Sequence, residues 1–423
     1  MKAHIHPGVL KGRVEAVMPS KSQSHRALIC AFLAEQPTVI RNIRFSADAE
    51  RTCDCLEALG ARFEREETAV TVFPGRKAPE RPLDCGESGS TLRFLLPLAA
   101  ALGNPVSFTG QGKLAQRPLS SLWEEMTGHG CVLSAQGSFP LTCEGQLQPG
   151  IYRIAGNVSS QFVTGLLMAL PLLEEDSELR VTGTLESRPY VEMTLETLAR
   201  FGIRIEETAE GFRIPGGQRY RSPGEMVLEG DWSGAAFWLA AGALSGEGVA
   251  CAGMNLSSAQ GDRAIVELLR AFGAEVTEAG DTVSVRRGSE PMRGIDIDLR
   301  NIPDLAPALA AVAAYAEGET RIGPVARLRM KESDRVASVI EMIRGLGGRA
   351  EERDGELVIA GTGRLPGGRV RSFRDHRIAM AAAVAASAAG GDTEILEAEA
   401  VSKSYPGFFG VFRDLGGRME EEE

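Results

Sequence analysis

Lysine and arginine residues recur in short segments that also carry serine, glycine or an acid, and such segments are suited to binding a compact anion. Lys21 and Arg26 lie in PSKSQSHR, and Lys331 and Arg335 lie in RMKESDR. The remaining segments of this kind are GESGSTLR with Arg93, AQRPL with Arg117, DHR with Arg377 and SKSYPGF with Lys403. A single base is ordinarily a solvated surface charge. Their shared context favours instead a site that holds phosphate or carboxylate groups.

Carboxylates and histidines beside these bases are candidates for proton transfer. Asp304, in IPDLAP, precedes an almost wholly apolar helix, so it is either a catalytic base or the N-cap of that helix. Glu332 follows Lys331, where it is either an acid whose pKa is tuned by cations or one member of a surface charge cluster. His25 and His376 are candidate general bases, although histidines in such positions more often support or orient a site.

The same segments mark the starts of six helices that recur along the chain. Each begins with polar or charged residues and continues into a helix of small apolar residues, and the markers follow one another at intervals of 66 to 73 residues. The markers are Ser22, Ser88, Ser159, Asp231, Asp304 and Asp375. Free backbone N–H groups and the helix dipole favour negative charge at a helix N-terminus, so these starts are suited to hold an anion.

A second helix recurs in step with the first and ends at a glycine-containing turn before a strand. CLEALGARFE, LETLARFGIRIEE, IVELLRAFGAEVTE, IEMIRGLGGRAEE and DLGGRMEE share this pattern, and SLWEEMTGHGCVLS is a rougher copy. The glycine is suited to the left-handed conformation that ends a helix. Six copies of the unit account for nearly all 423 residues, which predicts an α/β protein.

The repeat also predicts the domain organisation. We expect the N-terminal strand to complete the last unit, so that both chain ends meet in one domain. Three units per domain then give a discontinuous domain of residues 1–18 plus 230–423 and a second domain of residues 19–229. A solenoid scaffold is the alternative, but solenoid repeats usually span roughly 20 to 50 residues. The polar residues at the helix starts also differ between copies, which favours an enzyme.

Composition and charge exclude several classes of protein. Hydrophobic and charged fractions of 43% and 24% are those of a globular protein, and a net charge of −11 argues against nucleic-acid binding. The apolar stretch 379–389 is too short to span a bilayer, and the N-terminus lacks the apolar region of a signal peptide. The seven cysteines show neither a disulfide framework nor metal-ligand spacing. We therefore expect a cytoplasmic protein without a membrane or nucleic-acid partner.

Taken in order, the motifs resemble those of the 5-enolpyruvylshikimate-3-phosphate synthase (3-phosphoshikimate 1-carboxyvinyltransferase) family over the whole chain. The motifs are PSKSQSHRAL, GESGSTLRF, QRP, GNVSSQF, SRPYVEMT, IPD, MKESDR, DHRIAM and SKSYPGF. The resemblance implies a two-domain inside-out α/β barrel of six βαβαββ repeats, three per domain. It also implies an active site in the interdomain cleft, which closes when the first substrate binds, and a monomer with no metal or organic cofactor.

The resemblance implies a reaction of the shikimate pathway, which leads to chorismate and the aromatic amino acids. An enolpyruvyl group moves from phosphoenolpyruvate to the 5-hydroxyl of shikimate 3-phosphate, through addition, a tetrahedral intermediate and elimination of phosphate. The implied catalytic residues are Lys21 and Asp304, on the hydroxyl and leaving-group side, and Glu332, on the methylene side. Chemistry of this kind needs a base near the hydroxyl and an acid near the methylene carbon.

Carried over motif by motif, the resemblance also assigns ligands to both substrates. The implied shikimate 3-phosphate site comprises Lys21, Ser22, Arg26, Ser159, Ser160, Gln161, Ser187, Tyr190, Asp304 and Lys331. The implied phosphoenolpyruvate site comprises Lys21, Gly89, Arg117, Gln161, Arg335, Arg377 and Lys403. Three positions depart from the family's usual pattern: Arg188 stands where Lys is common, and Glu87 and Arg327 stand where Asn is common.

Two other interpretations remain open. UDP-N-acetylglucosamine enolpyruvyl transferase shares the fold and the donor, but that family usually carries a Cys or Asp acid in the loop that here reads TGQGKLAQRPL. A protein related to RNA 3′-phosphate cyclases, or a repeat protein without enzymatic activity, belongs to a different class. The acidity of the chain and the motifs above disfavour that class.

Overall fold

The computed structural model describes residues 1–422, and the chain divides into two compact units. The discontinuous unit comprises Met1–Ser20 and the chain from Glu229 onward, and the continuous unit comprises Lys21–Leu228. Residues 19, 20 and 229 therefore belong to the discontinuous unit, unlike in the sequence-based division. The reason is local pairing, since the Ser20 amide donates to the Glu229 carbonyl at 2.8 Å and Pro19 forms a β-bridge with Gly230.

Twenty-four strands are present in the described part of the chain. The first fourteen are β1 (Lys2–His6), β2 (Gly12–Val14), β3 (Thr38–Arg41), β4 (Arg62–Arg65), β5 (Ala69–Phe73), β6 (Leu83–Asp84), β7 (Val106–Thr109), β8 (Cys131–Leu133), β9 (Leu141–Gly145), β10 (Ile151–Ala155), β11 (Ser177–Thr182), β12 (Glu206–Thr208), β13 (Gly211–Ile214) and β14 (Glu225–Val227). The others are β15 (Val249–Cys251), β16 (Glu275–Ala279), β17 (Thr282–Arg286), β18 (Asp296–Asp298), β19 (Glu317–Gly323), β20 (Arg349–Arg353), β21 (Glu356–Thr362), β22 (Gly368–Arg371), β23 (Thr393–Leu396) and β24 (Arg418–Glu422).

The strands form six four-stranded sheets, three in each unit, and all six share one arrangement. In the continuous unit the strand orders are β14-β3-β5-β4, β6-β7-β9-β8 and β10-β11-β13-β12. In the discontinuous unit they are β16-β17-β15-β2, β18-β19-β21-β20 and β22-β23-β1-β24. Every sheet has one parallel pair at one edge and two antiparallel pairs beyond it. The fold is therefore mixed α/β.

In each unit, one sheet contains both the first and the last strand of that unit. β1 lies between β23 and β24 and is antiparallel to both, with Lys2 opposite Leu396 and Glu422. This pairing confirms that the N-terminal strand completes the last structural unit of the chain. In the continuous unit, β14 pairs in parallel with β3, so the last strand completes the first sheet. Each unit thus holds its two terminal segments through backbone hydrogen bonds.

Twelve α-helices connect the strands within residues 1–422. They are α1 (Lys21–Leu33), α2 (Ala47–Ala58), α3 (Gly89–Ala101), α4 (Leu122–Gly128), α5 (Ser160–Ala169), α6 (Arg188–Arg200), α7 (Trp232–Leu244), α8 (Ile265–Phe272), α9 (Ala306–Ala313), α10 (Arg335–Gly345), α11 (His376–Ser387) and α12 (Phe408–Asp414). The helices predicted from the marker residues are confirmed, and Ser88, Ser159, Asp231 and Asp375 each form an N-cap with a side-chain hydrogen bond. Within residues 1–422, none of these helices combines the length and hydropathy needed to cross a bilayer.

Each unit has its own hydrophobic core, built around helices that are apolar on every side. All residues of α7 and α11 are buried, and these two helices pack on each other and on α9. A helix without a polar face must be enclosed by other elements, which here are the sheets of its unit. Apart from Ser387 at the end of α11, the polar residues of these helices lie in their first turns, where candidate site residues are also found.

Candidate active site

The discontinuous unit gathers three carboxylates around one buried guanidinium group. Arg335, whose side chain is 1% exposed, donates from Nε to Asp375 Oδ2 at 2.8 Å and from Nη2 to Glu332 Oε2 at 2.6 Å. Its Nη1 donates to Asp304 Oδ1 at 2.8 Å. A guanidinium group has five N–H donors in a fixed plane, and here they bridge carboxylates from three different segments. Arg335 therefore joins the parts of this cluster.

Asp304 brings two further bases into the same cluster. Lys331 Nζ lies 3.2 Å from Asp304 Oδ1, and Arg377 Nη2 lies 3.1 Å from Asp304 Oδ2. Arg377 Nη1 also donates to the main-chain oxygen of Asp304 at 3.3 Å. Asp304, Lys331, Arg335 and Arg377, all of them predicted site residues, thus come together, with Glu332 bonded to Arg335. We call these five residues with Asp375 the acid–base cluster.

The cluster is assembled at the starts of three consecutive helical segments. Asp304 is the middle residue of the 3-10 helix Pro303–Leu305, which leads into α9, and Arg335 is the first residue of α10. Asp375 is the N-cap of α11, where it accepts from the Arg377 amide and from the Ser333 hydroxyl, both at 3.0 Å. Asp304 is the N-cap neither of this 3-10 helix nor of α9. Its side chain instead bonds to three cations, which argues against a simple capping role.

Burial and charge shift the proton affinities inside the cluster. Burial lowers the pKa of Lys331 to about 8, although the nearby Asp304 charge acts in the opposite direction. Burial alone would raise the pKa of Asp375, but the Arg335 charge outweighs it and holds that pKa below its usual value. The surrounding carboxylates raise the pKa of Arg335 further, despite its burial. At neutral pH the cluster therefore contains a permanently charged arginine and a lysine close to its titration range.

Two more predicted residues lie near the start of α11 and at the following 3-10 helix. His376 is buried, and its Nδ1 is 4.0 Å from Asp375 Oδ1. Lys403, the last residue of the 3-10 helix Ala398–Lys403, donates from Nζ to the Arg374 carbonyl at 2.8 Å. Tyr405 anchors the segment that follows, because its hydroxyl accepts from Trp238 Nε1 at 3.0 Å.

In the continuous unit, Lys21 is the first residue of α1 and pairs with an aspartate that the motif analysis did not select. Its Nζ lies 2.9 Å from Asp48 Oδ2, and both side chains are 16% exposed. Asp48 lies in the first turn of α2, two residues after the N-cap Ser46. The only sequence signal for this residue was the start of a helix, which does not distinguish a partner of Lys21 from an ordinary acidic first turn.

Arg26 is buried and bound on all sides by the continuous unit. It donates to Thr194 Oγ1 and to the Tyr190 carbonyl, both at 2.8 Å, and to the Ser22 carbonyl at 2.6 Å. Thr164 Oγ1 lies 3.4 Å from Nη2. Burial lowers the pKa of Arg26 to about 10, so it stays charged at neutral pH. The guanidinium group joins α1 to α5 and α6, and thereby brings the predicted residues Ser22 and Tyr190 together.

His25 supports the fold of the continuous unit through a buried chain of hydroxyl groups. Its Nδ1 is 2.7 Å from Thr52 Oγ1, which is 2.8 Å from Thr91 Oγ1, and the Thr91 hydroxyl donates to Ser88 Oγ at 2.7 Å. Burial lowers the pKa of His25 to about 3, so the ring is neutral at physiological pH. A neutral, buried ring in a fixed hydrogen-bond chain favours the structural interpretation of this histidine.

Gln161 is held by two neighbours from α3 at the start of α5. Its Oε1 accepts from Arg93 Nη1 at 2.7 Å, and its Nε2 donates to Ser90 Oγ at 2.9 Å. Ser159 caps α5 by accepting from the Gln161 amide at 3.3 Å, and the buried Ser160 begins the helix. The sequence motif SSQ therefore places one cap and one oriented amide side chain at the same helix start.

Ser187, Arg188 and Tyr190 occupy the beginning of α6. Ser187 is the N-cap residue, is buried, and adopts a left-handed φ of 56°, which is uncommon for a residue other than glycine. Arg188 is 44% exposed and pairs with Glu192 at 2.7 Å and with Glu207 at 2.6 Å. The structure thus places Ser187 and Tyr190 at a helix start, while Arg188 lies in a surface ion-pair network.

Gly89 and Arg117 are in direct contact at the start of α3. A Cβ atom on Gly89 would lie 2.8 Å from Arg117 Nη1 and 2.9 Å from its Cζ, which is closer than real Cβ contacts allow. The absence of a side chain at position 89 therefore lets the guanidinium group lie against the helix start. This close approach explains why a glycine is needed between Ser88 and Ser90.

We expect Gly89→Ala to displace Arg117 without unfolding the protein, because only the flexible end of that side chain must move. If Arg117 binds the anionic donor, the Michaelis constant for the donor should rise by about three- to thirtyfold. A change of this size is expected when one charge-assisted hydrogen bond is weakened. Initial-rate kinetics and a thermal melt check this. Gly128→Ala is the matched control, since that helical glycine has no atom within 4 Å of an added Cβ. An unchanged donor Michaelis constant in Gly89→Ala would contradict the role of Arg117.

Sequence reasoning missed the acids that hold the predicted bases. Asp375 was recognised only as a helix marker, yet it accepts from Arg335, Ser333 and the Arg377 amide. Asp48 was not selected at all. In residues 1–422 no group of three or more His, Cys, Asp or Glu side chains is arranged to hold a metal ion. Four of the predicted bases are therefore already paired with carboxylates of the protein, namely Lys21, Lys331, Arg335 and Arg377.

Comparisons with known proteins cover nearly the whole chain. The model of the EPSP synthase (3-phosphoshikimate 1-carboxyvinyltransferase) family matches residues 6–412. A 3-phosphoshikimate 1-carboxyvinyltransferase from Clostridium kluyveri is 43% identical over 99% of this chain and 98% of that protein. The solved structure of an EPSP synthase from Acinetobacter baumannii is 25% identical, with a TM-score of 0.83 over 99% of this chain and all of that one. An enolpyruvyl transferase from Streptomyces tendae shares the fold at 20% identity, with a TM-score of 0.79.

Proposed function

This chain belongs to the EPSP synthase family, and we propose that the acid–base cluster and the helix starts of the continuous unit carry out its reaction. The reaction moves the enolpyruvyl group of phosphoenolpyruvate to the 5-hydroxyl of shikimate 3-phosphate and releases phosphate. The observation that supports this assignment most is the geometry of Asp304, a carboxylate in contact with Lys331, Arg335 and Arg377. Such a site has both a proton acceptor and the cations that two anionic substrates require.

The proposed ligands of the two substrates are the residues that the family resemblance implies. The proposed ligands of shikimate 3-phosphate are Lys21, Ser22, Arg26, Ser159, Ser160, Gln161, Ser187, Tyr190, Asp304 and Lys331. The proposed ligands of phosphoenolpyruvate are Lys21, Gly89, Arg117, Gln161, Arg335, Arg377 and Lys403. The helix starts of α3, α5 and α6 supplement these side chains, because helix N-termini favour anions.

The proposed chemistry is an addition followed by an elimination. Asp304 accepts the proton of the 5-hydroxyl as the oxygen attacks C2 of phosphoenolpyruvate, while Glu332 gives a proton to C3. The tetrahedral intermediate then loses a proton from C3 to Glu332 as the C2–O bond to phosphate breaks, and Lys21 protonates the leaving phosphate. The arginine and lysine residues stabilise the charge that moves between the oxygen atoms.

The ion pairs of the cluster suggest how Asp304 becomes a base. In this structure two arginines and a lysine stabilise its charged form, which weakens its attraction for a proton. The phosphate and carboxylate of the donor compete for Arg335 and Arg377. Asp304 then has fewer cations next to it and gains basicity when the hydroxyl substrate is in place. Donor binding and activation of the base are therefore coupled.

We also propose that the six sheets correspond to six βαβαββ repeats forming an inside-out α/β barrel in each unit. Their common strand order and the enclosed helices α7, α9 and α11 support this interpretation. The repeat explains why candidate site residues appear at the starts of successive first helices. Each copy presents one helix N-terminus, and different side chains at that position provide different functions.

A phosphate-release assay with two acceptors tests the function. With phosphoenolpyruvate as donor, shikimate 3-phosphate should support turnover of roughly 1 to 1,000 per second, the range of ordinary enzymes. UDP-N-acetylglucosamine should give no more than the rate without acceptor. Turnover with the nucleotide sugar alone would instead assign the chain to the other enolpyruvyl transferase class.

A further inference from the structure

A buried carboxyl group that the proposed mechanism does not use lies in the 3-10 helix Gly261–Ala264 of the discontinuous unit. Asp262 is 2% exposed, and the Ser233 hydroxyl donates to its Oδ2. Its Oδ1 has no hydrogen-bond partner within residues 1–422. An ionised carboxylate in this position is unfavourable, because one oxygen has lost water without gaining another donor. The group is therefore close to a balance between its charged and neutral forms.

Three charged groups from separate elements act on Asp262. Asp304, next to α9, and Asp231, the N-cap of α7, repel its negative charge, whereas Arg377 of α11 attracts it. Burial is the largest influence and, with these neighbours, raises the pKa of Asp262 to about 7, while the Ser233 hydrogen bond acts in the opposite direction. Asp262 thus interacts electrostatically with the arginine and the carboxylate assigned above to donor binding and to catalysis.

We propose that Asp262 is a positioning residue that acts through Arg377, holding its proton more tightly when the donor is bound there than when Arg377 holds no substrate anion, so that donor binding takes up a proton from solvent. The proposal rests on the proposed function, because it needs Arg377 to bind phosphoenolpyruvate. An anion at Arg377 neutralises the charge that attracts Asp262 and adds another negative group to Asp231 and Asp304. The neutral form of Asp262 is then favoured, and donor affinity falls as pH rises.

Asp262→Asn tests this coupling because it keeps the size and an acceptor for Ser233 but removes the titration. The ratio of the donor Michaelis constants, parent over variant, should increase by about fivefold or more between pH 6 and pH 8, within the usual range of coupling between sites. Lys331 and the phosphate of the donor titrate in both proteins, so their effects cancel in this ratio. A ratio that stays constant over this range would overturn the proposal.

Two further variants separate the electrostatic role from a structural one. Asp298→Asn removes an exposed aspartate whose pKa is already lowered by Arg300, so its ratio should stay constant with pH. Ser233→Ala removes the hydrogen bond that favours charged Asp262. The pKa of Asp262 should therefore rise in this variant, and the pH at which donor affinity falls should be higher than in the parent. A shift to lower pH, or an equal pH response in Asp298→Asn, would contradict the proposal.

Unfolding equilibria test the buried titration independently of turnover. The folded protein binds a proton at Asp262 up to about pH 7, whereas an unfolded aspartate releases it near pH 3.9, so the parent loses stability between these values. Relative to Asp262→Asn, the parent's unfolding constant should increase by roughly fifteenfold from pH 5.5 to pH 7. No such change would overturn the inference even if the parent is active. If phosphate release fails in the parent, the proposed function fails, whatever the unfolding data show.

Discussion

Replacing Asp304 with Asn should give a folded protein that still binds shikimate 3-phosphate but turns over about two to four orders of magnitude more slowly. The substitution keeps the size and one acceptor oxygen, and removes the group that accepts the hydroxyl proton. A general base is worth roughly 100- to 10,000-fold, or about 3 to 5 kcal/mol of transition-state stabilisation. Turnover, acceptor titration and a thermal melt on the same preparation check this result.

Asp334→Asn is the matched control for Asp304→Asn. Asp334 is the N-cap of α10, where its Oδ1 accepts from the amides of Val336 and Ala337, and Asn caps a helix about as well as Asp. Its turnover should remain within about threefold of the parent. If Asp304→Asn also stayed within about threefold, the catalytic role of Asp304 would be withdrawn, and only its structural contacts with Lys331, Arg335 and Arg377 would remain.

The sequence predicted the helix starts well because their signals are local. Ser88, Ser159, Asp231 and Asp375 are N-caps, as serine and aspartate before an apolar helix usually are. The glycine predicted after the helix of IVELLRAFG is also confirmed, since Gly273 ends α8 with a left-handed φ of 102°. Such features depend only on a few neighbouring residues, so they can be recognised without the tertiary structure.

The partners of the predicted bases could not be obtained in this way. Arg335 contacts Asp304 and Asp375, which lie 31 and 40 residues away along the chain, and Lys21 contacts Asp48 across two helices. No periodicity relates these positions, because the contacts depend on how successive helix starts pack inside a unit. The sequence therefore indicated which residues carry charge at the site, but not that Lys21, Arg335 and several other bases are paired with carboxylates of the protein.

Replacing Arg335 with Met should destabilise the protein by about 3 to 5 kcal/mol at pH 7, the usual cost of leaving buried charges unpaired. The side chain is 1% exposed and bridges Asp304, Glu332 and Asp375, so its loss leaves three carboxylates without their common partner. Arg335→Lys should be intermediate, because one ammonium group cannot contact all three acids in the plane of a guanidinium. Chemical denaturation of the three proteins checks this order.

The pH dependence distinguishes a loss of charge pairing from a loss of packing. In the parent, the Arg335 charge outweighs burial and lowers the pKa of Asp375 in the folded state. Ionised Asp375 therefore stabilises the folded protein above its unfolded pKa near 3.9, and this stabilisation is lost as pH falls through the folded pKa. Without Arg335, burial raises that pKa instead, and the cost appears as pH rises from about 4 to 7. The stability difference between parent and Arg335→Met should therefore be smaller near pH 4 than near pH 7.

Arg353→Met provides the comparison for an exposed arginine of the same unit. Arg353 is 43% exposed and pairs with Glu351 and Glu319 at the surface, where solvent screens both charges. Its replacement should leave the unfolding free energy nearly unchanged at any pH between 4 and 7. An Arg335→Met defect that is equally large at pH 4 and pH 7 would show that the side chain stabilises the unit by packing. In that case donor binding, rather than pairing with Asp375, would have to account for the charge at this position.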